Sequence, residues 1–395
     1  MNRRLCVWVG SILGCLSFNA LASGQVPALP PGVAPASGIP LQAENATDET
    51  PYLASINNFI SDQLAALTGT DFSAQTAARQ KLVAALVRGS TAPYYSAFAK
   101  SWSTACLAVI AKNPPLGVRL NIAIVTATLT DSGQPPEAEP LVVKLLGDRE
   151  PVVILWAIRA AKPLIIVLIQ NPPAFVASPL AGAIVSAVKK CGSSDVSGFV
   201  TTDAYGALVV KSIAGKPAAQ VNPLLPPLVG PVLDILEFRI AQHAAGTVQS
   251  PGAERDIATW LSGNYAALKP ADQLRMVQLL VKLETYAGQR CDLYQNDKKQ
   301  LTQVREMLKY VASALKVIGG NGASVVNGLN WLTGMPPAAP PADIYSHTKT
   351  VFPTMNLVFP NLTAPPAIPV IAPPPPPVVK PATPAGGTSA SPPAP

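Results

Sequence analysis

The chain has 395 residues, of which 49% are hydrophobic, 13% charged and 6% aromatic, and its net charge is +7. Low hydrophobicity with high charge is what keeps a chain unfolded, so this composition excludes a wholly disordered protein, and the length exceeds one small domain. Of the 43 prolines, 19 fall in 336–395, 6 in 24–51 and 18 between, so a foldable middle lies between two arms poorly suited to forming a core.

Residues 1–22 predict a bacterial-type secretory signal: Arg3 and Arg4, an apolar run from Leu5 to Phe18, then Ala20-Leu21-Ala22 with cleavage expected after Ala22. A second ending competes, because Ile12-Leu13-Gly14-Cys15 is similar to a lipobox that would acylate Cys15 and give a lipoprotein. Either ending places the protein outside the cytosol, periplasmic or extracellular, where disulfides persist. Cys106 sits in an apolar helical run, whereas Cys191 and Cys291 sit in loop-like sequence and form the one candidate disulfide pair.

Residues 23–50 read as a Pro/Ala-rich linker. Helical grammar starts at Thr50-Pro51, a cap followed by proline at the first helical position, and continues with Leu53, Ile56, Ile60, Leu64 and Leu67 up to Gly69. A second helix carries Leu82, Val83, Leu86 and Val87 and closes at Gly89. A third begins near Pro93 with Tyr94, Phe98, Trp102 and Cys106 on one side, and reads as core. Prolines then punctuate at intervals of 21 (Pro93, Pro114, Pro135; Pro151, Pro172), each marking a helix start. The stretch 115–124 also superposes on 151–160 at an offset of 36, with Pro115 on Pro151, Val118 on Ile154 and Ile122 on Ile158.

Over 114–170 these residues resemble a HEAT or armadillo-type α-solenoid. A helix ending Leu-Leu-Gly147-Asp148 is followed by one opening Pro151-Val-Val, and Val118-Arg119 fits the family's second-helix opening better than Arg159 does. The resemblance implies an all-α stack of antiparallel helix pairs serving as a binding surface, with no activity attached. The apolar run 152–169 has Arg159, Lys162 and Pro163 at its middle and reads as a buried helix kinked or split at Pro163. No transmembrane span is therefore expected after signal cleavage.

Further along, Ala174–Lys190 and Asp203–Gly215 read as helices, Pro223–Pro231 as a rigid crossing, and Leu233–Ala245 as a helix. The repeats are expected to span 51–248, and 249–334 to be a helical bundle or closing repeats. There Ser250-Pro251 and Pro270 open helices, and 298–318 carries the clearest seam: Leu301, Val304, Leu308, Val311, Leu315 and Ile318. Residues 335–395 read as an extended Pro-rich strap, able to dock through Val351-Phe352 and Leu357–Phe359, and then a disordered tail.

Little in the sequence carries catalytic chemistry. Ser186-Ala-Val-Lys189 has the spacing by which an amine takes a serine's proton, and a serine hydrolase-like enzyme is the alternative reading. The third element of that motif set, Lys-Thr-Gly, is absent, and no phosphate loop or dinucleotide fingerprint occurs, so no cofactor and no metal are expected. His243 reads as a helix-terminal residue interacting with the dipole, and His347 has no nucleophile beside it. Lys298, Arg305, Lys309 and Lys316 recur along one helix face as a candidate contact for an anionic partner. The expectation is an exported, non-enzymatic binding or scaffolding module. Its partner would be a protein or an envelope polymer, and not nucleic acid.

Overall fold

The computed structural model describes residues 39, 41–86, 90–192, 194, 196–324 and 327–367. The signal segment with Cys15 and Ala22, most of the linker, Gly89 and the tail beyond 367 lie outside the described residues.

The fold is all-α; among the described residues the one β feature is an isolated bridge between Ile213 and Lys216. Its principal helices are α1 (Leu53–Thr68), α2 (Phe72–Leu86), α3 (Ala92–Ile110), α4 (Leu116–Gly133), α5 (Glu139–Leu146), α6 (Pro151–Leu168), α7 (Pro172–Ala177) and α8 (Leu180–Cys191). They continue with α9 (Ser197–Leu208), α10 (Pro226–Ala245), α11 (Arg255–Asn264), α12 (Pro270–Gln289) and α13 (Lys298–Ser324). Last come α14 (Asn327–Thr333), α15 (Pro341–Thr348) and α16 (Val351–Val358).

Proline opens many of them because its missing N–H has no partner to lose at the first turn; Pro151, Pro172, Pro226, Pro270 and Pro341 all stand there. At the start of the body, Asp48 accepts hydrogen bonds from both the backbone and the hydroxyl of Thr50, at 2.9 and 2.6 Å, ahead of α1. Two positions differ from the proline reading. Helix α6 runs unbroken through the buried Pro163, and α10 starts at Pro226 and contains Pro231 instead of following a rigid crossing. A proline inside a helix leaves one carbonyl without its usual donor, and here burial of the surrounding apolar surface outweighs that loss.

The packing follows two successions. Helix α2 lies on α4, α4 on α6, and α6 on α9; α1 lies on α3, α3 on α5, α5 on α8, α8 on α10, and α10 on α12. They meet where α1 touches α2, α3 touches α4, α5 touches α6 and α8 touches α9; beyond them α12 packs on α13, and α13 on α11. The interior between them is continuous. Trp102 is fully buried, and its indole N–H donates to the buried Thr126 hydroxyl at 3.0 Å. Tyr94, Tyr95 and Phe98 are buried with it, as expected for core.

Further expectations change. The helix read over Asp203–Gly215 is α9, which starts earlier, at Ser197, and ends at Leu208. Ala174–Lys190 is not one helix but α7 and α8, divided at Ser178-Pro179. The linker is not wholly outside the body, since Ile39 and Ala43 are buried and Thr91 donates to the carbonyls of Glu44 and Ala46. The strap is not extended over most of its length: 341–358 forms α15 and α16, which pack on α12 through Ile344, Val351 and Met355. Gly288 permits that approach, because a Cβ there would lie 2.4 Å from the Thr348 side chain. Leu357, by contrast, is 84% exposed and does not dock.

Candidate functional site

A hollow of about 480 Å³ opens between α9, the turn 250–254, the start of α11 and the side of α13. Phe199, Thr202, Tyr205 and Val209 line one wall, following the three-to-four-residue spacing of a helix face. Gln303 and Glu306 face them from α13, and Arg255 and Asp256 from α11.

The turn between α10 and α11 explains why these walls stand where they do. Ser250-Pro251 does not cap a helix; Ser250 adopts a left-handed φ of 52°, and α11 begins only at Arg255. The intervening loop is fastened from beneath by Arg239. Its Nε donates to Glu254 Oε1 at 2.6 Å, Nη1 to Gln242 Oε1 at 3.1 Å, and Nη2 to the Ser250 carbonyl at 3.0 Å. Gln242 in turn donates to the Gly192 carbonyl at 2.8 Å, tying α10 to the end of α8. Gly198 lets the turn rest on α9, since a Cβ there would fall 2.1 Å from the Ser250 hydroxyl.

Arg239, Glu254 and His243 are all 0% exposed. Burial works to raise the Glu254 pKa, but the Arg239 charge and His243 overcome it and bring the carboxyl down to about 2. Burial lowers the pKa of His243, against the pull of Glu254 Oε2, which lies 3.5 Å from Nε2. The imidazole is therefore a buried neutral group beside an ion pair, and not a helix-end cation. Tyr205, whose side chain lines the hollow, has its hydroxyl pushed well above its ordinary pKa, first by burial and then by the Glu254 charge.

Over this cluster runs a chain of alternating surface charges. Lys211 meets Asp256 at 3.2 Å, Asp256 meets Arg255 at 3.1 Å, and Arg255 meets Glu306 at 3.2 Å. Partial burial works to raise Asp256, and its two cationic partners overcome it and hold it below the ordinary carboxylate value. The Arg255 guanidinium also lies 5.7 Å from the centre of the Tyr310 ring. The two cations and two anions cancel, so this edge of the hollow offers planar hydrogen-bonding groups without net charge. Phe199 and Tyr310 flank it with 64% and 45% exposure. A second hollow of about 650 Å³ lies between α1 and α3, lined mainly by aliphatic and small residues with Lys100 at its edge.

The residues singled out in the sequence fall elsewhere. Lys298 is exposed at the start of α13, while Lys309 and Lys316 are half-buried further along. Arg305 is turned inward, donating to the carbonyls of Pro337 and Ala339 at 3.0 and 2.5 Å, so its fork is engaged by the chain itself. Ser186 and Lys189 are exposed on α8 and lie in neither hollow; the neighbouring Lys190 caps the end of α5 through the carbonyls of Gly147 and Asp148. His347 stacks on Trp331 with ring centres 4.0 Å apart. Cys106, Cys191 and Cys291 are three separate buried thiols, and the Cys191–Cys291 bridge is not formed in this structure. Helix α6 is long and apolar enough to cross a membrane, but 56% of it is buried within the fold and Arg159 pairs with Asp203 at 2.7 Å.

No protein-family model, curated protein or solved structure matches the chain at a significant level.

Proposed function

We propose that the protein is an exported, non-enzymatic helical-repeat module of the HEAT-like kind that binds or scaffolds a partner in the bacterial envelope. One observation carries the reading: many of the polar bonds that cross between elements recur at 41–46 residues along the chain. Arg79 reaches Asn121 (42 residues on), Ser96 reaches Glu137 (41) and Arg159 reaches Asp203 (44). Further on, Lys211 reaches Asp256 (45), Arg275 reaches Asp234 (41 back) and Arg290 reaches Ala244 (46 back). A chain whose units each touch the next one or two helices along has this signature, and a stack of such units presents long surfaces suited to partners. Asp148 also meets the buried Arg119 at 2.9 Å, linking the two stretches on which the resemblance rests.

The hollow between α9, α11 and α13 is the proposed contact surface. Its charges are mutually satisfied and its exposed aromatics are available, which favours a polar, uncharged or zwitterionic partner such as a glycan strand or polypeptide over a polyanion. The test is retention of the purified protein on bacterial cell-wall sacculi and on immobilised envelope proteins. Wild type should be retained by one of the two, and Phe199→Asp with Tyr310→Ser should lose that retention; equal retention of both forms would move the contact elsewhere, and retention by neither would sink the reading.

A further inference from the structure

After α16 the chain turns at Phe359, whose carbonyl accepts the Leu362 N–H, and residues 362–367 run on without helix or strand. In that stretch Leu362 is the one buried side chain, at 7% exposure. The rest is held by its backbone. The Gln278 carboxamide donates to the Thr363 carbonyl at 2.5 Å and accepts the Thr363 N–H at 2.6 Å, and the Tyr286 hydroxyl donates to the Pro366 carbonyl at 3.0 Å.

The spacing fits an extended peptide. Gln278 and Tyr286 stand eight residues apart on one face of α12, about 12 Å along its axis at 1.5 Å per residue. Thr363 and Pro366 are three residues apart, about 9 Å in a polyproline conformation, and the tyrosine, which leans toward the N-terminus and reaches further than the glutamine, closes the difference. Thr363 supplies the N–H that α12 engages, and Leu362 turns its own back to Phe359, so proline at 365 and 366 costs nothing.

A clamp that reads backbone accepts any chain of the same shape with an apolar anchor in front. The occupant reads Leu362-Thr363-Ala364-Pro365-Pro366; eight residues on, the sequence reads Val370-Ile371-Ala372-Pro373-Pro374. Position by position this is aliphatic, β-branched, alanine, proline, proline. Another Ala-Pro-Pro string, Ala339-Pro340-Pro341, is gripped at its start in the same way, by Arg305 on the carbonyls of Pro337 and Ala339.

We propose that the Gln278–Tyr286 face of α12 is a binding site for extended peptides of the pattern aliphatic–β-branched–Ala–Pro–Pro, held in this structure by Leu362–Pro366, and that its alternative occupant is the same chain's Val370–Pro374. Tethering by a few residues places the second string at an effective concentration of the order of millimolar, so it takes the site when the first is released. The site uses residues other than those of the α9–α11–α13 hollow and stands independently of that reading.

The test uses the full chain and a fluorescent peptide spanning residues 368–376. Wild type should bind it weakly, because its own string fills the site. Leu362→Asp alone should also bind weakly, because Val370–Pro374 moves in. Leu362→Asp with Val370→Asp should bind at least tenfold more tightly, and adding Gln278→Ala should abolish the gain. Thr363→Pro with Ile371→Pro, which removes the N–H donated to Gln278, should repeat the order without introducing a charge, and melting curves verify that each body is folded. The proposal fails if the doubly substituted chain binds no more peptide than wild type, if Leu362→Asp alone binds as tightly as the double variant, or if Gln278→Ala changes nothing.

Discussion

Arg239 and Glu254 meet at 2.6 Å with neither side chain exposed, 15 residues apart in sequence and on either side of the turn that leads into α11. Two charges this deep hold each other, and neither has water as an alternative partner. Arg239→Met would leave Glu254 buried without its main counter-charge and free the Ser250 carbonyl. We expect a loss of about 3–5 kcal/mol, the range for breaking one side of a buried pair, read from urea denaturation. Arg239→Met combined with Glu254→Leu should recover much of that loss, because a matched apolar pair leaves no uncompensated charge.

The same cluster sets an acid dependence. Burial lowers the pKa of His243 below 6.5, so in acid the unfolded chain takes up a proton that the folded chain refuses. That part of the stability is complete above about pH 6.5 and declines below it. Glu254, lowered from 4.5 to about 2, adds a second limb, complete above its unfolded value and lost as pH falls toward the folded one. Relative to His243→Gln, the wild-type urea midpoint should therefore drop between about pH 7 and pH 5, while the limb below, which Glu254 sets, stays common to both.

Glu284 works in the opposite direction. It is 0% exposed on α12, and burial alone raises its carboxyl well above 4.5. The folded state keeps a proton that the unfolded state releases, so its contribution is present below the unfolded value and is lost as pH rises. Glu284→Gln should therefore raise the urea midpoint at about pH 8 and change it little at about pH 3.5, where the wild-type carboxyl is protonated in both states.

The thiols should be silent until the fold opens. Burial pushes Cys191 up to about 11 and Cys291 up to about 12, and Cys106 well above its ordinary value. Since the thiolate is the reactive form, a maleimide at neutral pH should leave all three unmodified in the native protein and label them in denaturant. Peptide mapping after labelling checks this, and a Cys191–Cys291 linked peptide would contradict the structure.

The end of the strap is tied to the body by Leu362, Thr363 and Pro366. Removal of 364–395 takes away the Pro366 carbonyl bound by Tyr286. Truncation after residue 367 should leave the melting temperature unchanged. Truncation after 358 also removes Leu362 and both Gln278 bonds, and should cost about 2–4 kcal/mol from one buried aliphatic side chain and the lost hydrogen bonds. Differential scanning calorimetry of the two truncations separates these contributions.

What the sequence made legible was whatever repeats. Leu301, Val304, Leu308, Val311 and Leu315 announce α13 by spacing alone, and all five are buried. Prolines at helix starts were equally readable. Those of α10 were not: three prolines within six residues read as a breaker, yet two stand in the first turn, where no N–H is needed, and packing of Leu228, Val229 and Val232 holds the third. Helices α15 and α16 escaped for a related reason. They are short, proline-flanked and stabilised by what they cover on α12 and α13 instead of by their own propensity. Arg239 and His243 are one helical turn apart on α10, but nothing periodic joins them to Glu254, because a turn brings it back to them. The hollow above them shares that invisibility, since its walls come from helices separated by tens of residues.

The long reach of Gln278 and Tyr286, 85 and 80 residues forward, contrasts with the 40-odd residues typical elsewhere. In a body bonded mostly between neighbours, the last member has one neighbour fewer, and opening starts there. Tucking the segment after α16 back across α12 adds one more tie to a helix already packed on α10, α13, α15 and α16, as a cord is passed under its final turn. The C-terminal end is thus locked against fraying by very few bonds, and hydrogen exchange there should be slow for as long as Leu362 stays seated.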